Sequence, residues 1–176
     1  MVLRSQADDR EALGSLLQSV QAALFRYIAH LVGPDAADDV LQDVFLEICR
    51  HIRALHEPEF FRAWAYRIAT RASFSCIQRR RLWLTRHDEE VELDALPAGG
   101  EADKALLAHE IQPLLEWASP ASRAILALHY LEGLTIHEVA AVLQLSEGTV
   151  KSRLAYGLNS LRRATGRKGN SDDRSI

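Results

Sequence analysis

Thr149, Lys151, Ser152, Arg153 and Tyr156 place two short hydroxyls, two cations and a phenol within roughly two helical turns of chain. The chemistry open to such a set is recognition: cations take phosphate oxygens, and short polar groups meet base edges in a major groove. A second set, Arg62, Trp64, Tyr66, Arg67, Thr70, Arg71 and Phe74, interleaves cations with rings. That mixture suits single-stranded nucleic acid, whose bases stack on aromatics beside a positive groove. In a third set, Asp39, Gln42, Asp43, Leu46 and Arg50, one leucine stands among polar and acidic groups. No set pairs a nucleophile with a base, spaces ligands for a metal or forms a phosphate-cradling loop, so neither a catalytic centre nor a bound metal or cofactor is expected.

The elements that must position the first set carry their own start and stop signals. Thr135 followed by Glu138 is a capping box and predicts a helix beginning at Ile136. Ile136, Val139, Ala140 and Leu143 give that helix one buried face, and Gln144 and Leu145 make a tight connection to Ser146, a second N-cap. On the helix opening at Glu147, Val150, Leu154, Gly157, Leu158 and Leu161 share one side. Thr149, Ser152, Tyr156 and Asn159 lie opposite, flanked by Lys151 and Arg153. The pair reads as a helix-turn-helix. The competing reading, a solvated amphipathic helix in a bundle, leaves the two caps around so short a turn without a purpose.

The second set falls on a helix expected from after Pro58 to residue 82. Phe61, Trp64, Ala65 and Ile68 share one face, and Tyr66, Thr70, Ser73 and Phe74 another, among Arg62, Arg67 and Arg71. Two readings stay open: the second face offers rings to bases, or both faces are buried. The third set lies on a helix predicted from residue 34 or 35 to 55. Val40, Leu41, Val44, Ile48 and Ile52 form its buried face, so Leu46 points outward, either as an ordinary exposed leucine or as part of a docking surface.

An all-α chain is expected. Leu13, Leu16, Leu17, Val20, Leu24, Tyr27, Ile28 and Leu31 mark a helix over residues 9–31, ended by Gly33 and Pro34. Residues 87–104, rich in acids and holding Pro97, Gly99 and Gly100, read as a linker. That divides the chain into a first domain, 1–86, and a second, 105–165. Beyond the linker, Leu106, Leu107, Ile111, Leu114 and Leu115 mark a fourth helix, and Ser119 with Pro120 starts a fifth that Gly133 stops after Glu132. Residues 166–176 are expected to be a disordered polar tail.

The 176 residues carry a formal net charge of -3, an average over acidic and basic blocks. Acids dominate up to Glu47, arginines from Arg50 to Arg86, and acids again from Asp88 to Asp94. Cys49 and Cys76 show neither a disulfide framework nor zinc spacing. No run approaches the roughly 18 apolar residues of a membrane span, and the first residues lack a signal-peptide core. A cytoplasmic protein without membrane insertion is expected.

Three motifs carry a resemblance: DDVLQDVFLEI at 38–48, FRAWAYRIA at 61–69, and the EGLT..EVA....LSEGTVKSRL pattern at 132–154. Together they resemble the extracytoplasmic-function (ECF) group of the bacterial sigma-70 family, which keeps regions 2 and 4. The resemblance implies a three-helix region 2, a four-helix region 4 and a non-enzymatic subunit of core RNA polymerase that directs promoter recognition, DNA melting and initiation. It implies that Asp39, Gln42, Asp43, Leu46 and Arg50 dock polymerase. The helix carrying Arg62 to Phe74 would meet the minus-ten element, and the one carrying Thr149 to Tyr156 the minus-thirty-five element. It further implies a monomer when free and an anti-sigma partner. This chain departs from the family pattern at Arg71, where Asn is common, at Ser75, where Asp is common, and at Tyr156 and Leu158, where arginines are frequent. Two other functions remain: a homodimeric helix-turn-helix regulator binding duplex DNA without polymerase, and an interaction module that has lost DNA binding.

Overall fold

The computed structural model describes residues 1–7, 9–84, 111–112, 115 and 118–169, with side chains described up to Arg81 in the second of these runs and to Leu158 in the last. Among them every regular element is helical. They fall into two compact units, one holding the helices up to Leu84 and the other most of the chain from Pro120 onward.

The first unit contains α1 (Val2–Gln6), α2 (Arg10–Val32), α3 (Pro34–His51) and α4 (Phe61–Leu84). Asp9 starts α2 by accepting the Ala12 amide at 2.9 Å. Gly33, at φ +88°, stops it and lets Pro34 open α3 at the position where a missing N–H costs nothing. The Arg80 guanidinium then donates to the Val32 carbonyl at 3.1 Å, satisfying one of the acceptors left at the end of α2. Leu24, Tyr27 and Ile28 of α2, Val44 and Ile48 of α3, and Ala65, Tyr66 and Ala69 of α4 are buried together where the three helices pack.

Two features depart from the expected pattern here. Helix α3 ends at His51, short of residue 55, and tightens into a 3-10 turn, Ile52–Ala54. The helix α1, which periodicity did not announce, supplies the partner this turn needs. The Gln6 side-chain amide donates to the Ile52 and Leu55 carbonyls at 2.9 and 2.7 Å.

The second unit contains α5 (Pro120–Leu126), most of α6 (Ile136–Leu143) and α7 (Glu147–Gly169). The fourth helix expected from Leu106 lies largely outside the described residues, though Ile111 and Leu115 are described and buried. Ser119 caps α5 through the Ser122 amide at 3.3 Å. After Leu126 the chain widens into a π turn, Ala127–Leu131, in place of the continuous helix expected to Glu132. The wide turn brings buried His129 against the Leu134 carbonyl at 2.8 Å; a carbonyl only accepts, so Nδ1 carries the proton. Gly133 follows at φ +71°.

Helix α7 runs to Gly169, so residues 166–169, expected in a disordered tail, are helical. It packs on α5, with Gly157 facing the wholly buried Leu126; a Cβ at Gly157 would lie 3.0 Å from Leu126 Cδ1.

Candidate functional site

Asp39, Gln42, Asp43, Leu46 and Arg50 all stand exposed along one side of α3, while Val40, Leu41, Val44 and Ile48 fill the other. The spacing of these five, i, i+3, i+4, i+7 and i+11, is that of a single helix face. Leu46 is 47% exposed among the acids, and Arg50 holds Glu47 at 3.0 Å. What the face offers is a shallow apolar spot ringed by charge.

On α4 the structure turns the helix relative to the expected faces. Tyr66 is 1% exposed and Thr70 is also buried, so neither can stack on or touch a base as the sequence suggested. Both are held by a hydrogen-bonded chain. The Tyr27 hydroxyl donates to Thr70 Oγ1 at 2.7 Å, and Thr70 Oγ1 donates to the Tyr66 carbonyl at 2.8 Å. The Tyr27 and Tyr66 rings meet edge to face at 5.4 Å, and the Arg62 guanidinium lies over Tyr66 at 5.7 Å. Ser73, on the same face, is also buried. Trp64, Arg67, Ile68 and Phe74 are half-buried, whereas Arg62, Arg71, Ser75 and Arg79 are exposed. Arg71 and Ser75, one turn apart, are therefore exposed on one side of α4, with Trp64 and Arg67 half-buried on the same side.

Phe60 was missed by the sequence reading. It closes a 3-10 turn, Pro58–Phe60, just before α4 and is 55% exposed, although it sits next to buried Phe61. Two adjacent phenylalanines at a helix start cannot both face the core, and that geometry was the available signal.

In the second unit the helix-turn-helix forms by the expected caps. Thr135 Oγ1 accepts the Glu138 amide at 3.2 Å, and the Glu138 carboxylate accepts the Thr135 amide at 2.7 Å. Gln144 adopts the left-handed conformation, φ 56° and ψ 44°, which lets the Leu145 amide donate back to the Ala140 carbonyl at 3.0 Å. Ser146 Oγ accepts the Thr149 amide at 3.1 Å and starts α7, while His137 meets Glu147 across the turn at 3.1 Å. Val150, Leu154 and Ala155 are buried; Lys151 and Tyr156 are exposed, and Thr149, Ser152 and Arg153 are half-buried. The small hydroxyls are already engaged. Thr149 Oγ1 pairs with Ser146 Oγ at 2.8 Å, and Ser152 Oγ donates to the Thr149 carbonyl at 3.1 Å. Asn159 and Leu161, expected on opposite faces, lie outside the described side chains.

Comparison with known proteins adds what geometry alone does not. The family model "Sigma-70 region 2" matches residues 16–82, and "Sigma-70, region 4" matches residues 119–163. The chain belongs to the sigma-70 family. Region 2 thus takes in α3 and nearly all of α4, and region 4 the helix-turn-helix. Among relatives, the chain is 30% identical over 132 residues to ECF RNA polymerase sigma factor SigE of Mycolicibacterium smegmatis, covering 72% of this chain and 50% of that protein. It therefore spans about half the length of that relative. With ECF RNA polymerase sigma-E factor of Escherichia coli it is 26% identical over 166 residues, covering 88% of this chain and 86% of the other. These names place it with the ECF group of the family. Among solved structures, the sigma factor RpoE of Bartonella quintana, determined with the anti-sigma factor NepR, shares the fold. The TM-score is 0.69 at 21% identity, over 89% of this chain and 98% of that one.

Among the described residues no group of histidine, cysteine and acidic side chains could hold a metal ion, and no helix is long and apolar enough to cross a membrane.

Proposed function

We infer that this chain is a sigma factor that binds core RNA polymerase and directs it to promoters, and that it acts by recognition without catalysing a covalent step. The observation that carries this reading is the presence of regions 2 and 4 of one family in a single chain, the first with an outward leucine on a charged helix face. In this reading Asp39, Gln42, Asp43, Leu46 and Arg50 dock polymerase. Trp64, Arg67, Arg71 and Phe74, with Arg62 and Phe60 at the start of α4, meet the minus-ten element. Thr149, Lys151, Ser152, Arg153 and Tyr156 meet the minus-thirty-five element through the major groove.

Several further assignments belong to the same proposal: a domain boundary within residues 87–104, a monomeric free state, an anti-sigma protein as inhibitor and the cytoplasm as its compartment. A homodimeric helix-turn-helix regulator would leave the α3 face without a purpose. Run-off transcription on a genomic library with core polymerase and the purified chain tests the reading. Promoter-dependent transcripts that require both components support it. Footprints on palindromic DNA without polymerase would replace it with the dimeric regulator, and retention on polymerase without any transcript would leave an interaction module.

A further inference from the structure

Tyr156 is 38% exposed, among the few large side chains with an apolar body that stand so far into solvent among the described residues. Val150 and Leu154 of the same helix are buried, whereas Tyr156 projects on the other side, one turn beyond Ser152 and two beyond Thr149. The hydroxyls of those two residues are already engaged, with the Thr149 carbonyl at 3.1 Å and with Ser146 Oγ at 2.8 Å. Position along the helix separates the three. At a rise of 1.5 Å per residue, Thr149 and Ser152 lie about 3 and 8 Å beyond Glu147, and Tyr156 about 14 Å. A recognition helix meets base edges through its N-terminal residues, so short side chains serve the first two turns and only a long one spans the gap from the third.

We propose that Tyr156 selects thymine at one position of the minus-thirty-five element, its ring lying against the C5 methyl. This rests on the reading of α7 as the helix that meets that element. In the major groove the methyl group is the apolar feature that sets thymine apart from the other bases. A ring held in water gains by covering it, at the worth of roughly one methylene removed from solvent. The cations beside it act differently: Lys151 and Arg153 gain from phosphates, which carry no sequence information. The phenol hydroxyl lies at the far end of the ring and is left to water or a phosphate oxygen, so the discrimination belongs to the ring.

The test uses the full chain with core polymerase, in run-off transcription from a promoter library randomised across the minus-thirty-five element. Wild type, Tyr156→Phe and Tyr156→Ala are compared, and at the position that selects thymine the base is then replaced by deoxyuridine, which lacks only the methyl. Expected for the wild type is a preference for thymine of about fourfold at one position. Tyr156→Phe keeps it, Tyr156→Ala loses it there and nowhere else, and deoxyuridine lowers the wild type by the same factor while leaving Tyr156→Ala unchanged. Thermal melts report folding; the site is exposed and alanine is a good helix former, and Tyr156→Gln takes its place should that variant misfold. Unchanged base preferences in Tyr156→Ala, loss of the thymine preference in Tyr156→Phe, or deoxyuridine serving the wild type as well as thymine would each overturn the inference alone. Absence of any promoter-dependent transcript from the wild type would overturn the functional reading and the inference with it.

Discussion

Ser152 shows how a side chain's internal hydrogen bond constrains what it can read. Its hydroxyl proton is directed to the Thr149 carbonyl, so in the proposed contact with DNA it would present lone pairs only. An acceptor selects the donor-bearing edges of the major groove, adenine N6 or cytosine N4. On a promoter library randomised across the minus-thirty-five element, Ser152→Ala is expected to relax one position otherwise restricted to adenine or cytosine, at a discrimination of about 1 kcal/mol. A variant that keeps the wild-type base preference at every position would exclude this role. Leu46 is the residue proposed for the corresponding protein contact. Replacing it with Asp adds charge to a face already polar, so thermal stability should stay within about 0.5 kcal/mol. Affinity for core polymerase should fall by about 1 kcal/mol or more, read by fluorescence anisotropy. Unchanged affinity would remove Leu46 from the docking surface.

At the scale of the element, α4 rests on the buried chain from Tyr27 through Thr70 to the Tyr66 carbonyl. Thr70→Val removes an acceptor from a phenol that has no solvent to turn to, and is expected to cost about 1 to 3 kcal/mol. Tyr27→Phe removes the donor and leaves only an unfilled acceptor, so it should cost less. The double variant is expected to be more stable than the sum of the single losses implies, because both polar partners leave together. Chemical denaturation of the four proteins measures the coupling, and strict additivity would show that the chain contributes no cooperativity.

The same network explains what the sequence left hidden. Helices bounded by local signals were legible: α2 was expected over 9–31 and spans Arg10–Val32, and both caps of the helix-turn-helix form as written. The facing of α4 was not legible, because arginines and alanines on all sides blur its periodicity, and Tyr66 and Thr70 become core residues only when Tyr27 is beside them. The π turn at Ala127 escaped because no local signal marks it, whereas its buried His129 meets a carbonyl five residues on. Helix α1 is too short to show a period. For the candidate site, the α3 face and the helix-turn-helix could be read from spacing, whereas exposure of Phe60 required knowing which phenylalanine the core takes.

For the molecule as a whole, the joint between α1 and α2 is one place where acid removes stability. Two donors, the Ala12 amide first and Arg4 second, hold the Asp9 carboxyl below the ordinary aspartate value of 3.8. A carboxylate lowered in the folded state stabilises the fold above its unfolded value, and that contribution disappears as pH falls through the folded value. Melting temperatures followed from about pH 5 down to pH 3 should therefore decline less steeply in Asp9→Asn than in the wild type. Asparagine retains the cap but has no proton to gain. Parallel declines would show that Asp9 is not among the groups responsible.

The bare backbone of Gly157 has a consequence for where α7 points. Gly157 lies about ten residues past Glu147, so the helix reaches some 15 Å from that contact to its reading end, a lever arm pivoting on Leu126. A methyl group there asks the buried Leu126 side chain to give by a few tenths of an ångström. If the helix tilts instead by only about 4°, its reading end swings by about 1 Å over that length. If α7 reads a promoter as proposed, its aim is set at a contact that touches no DNA, by a residue with no side chain.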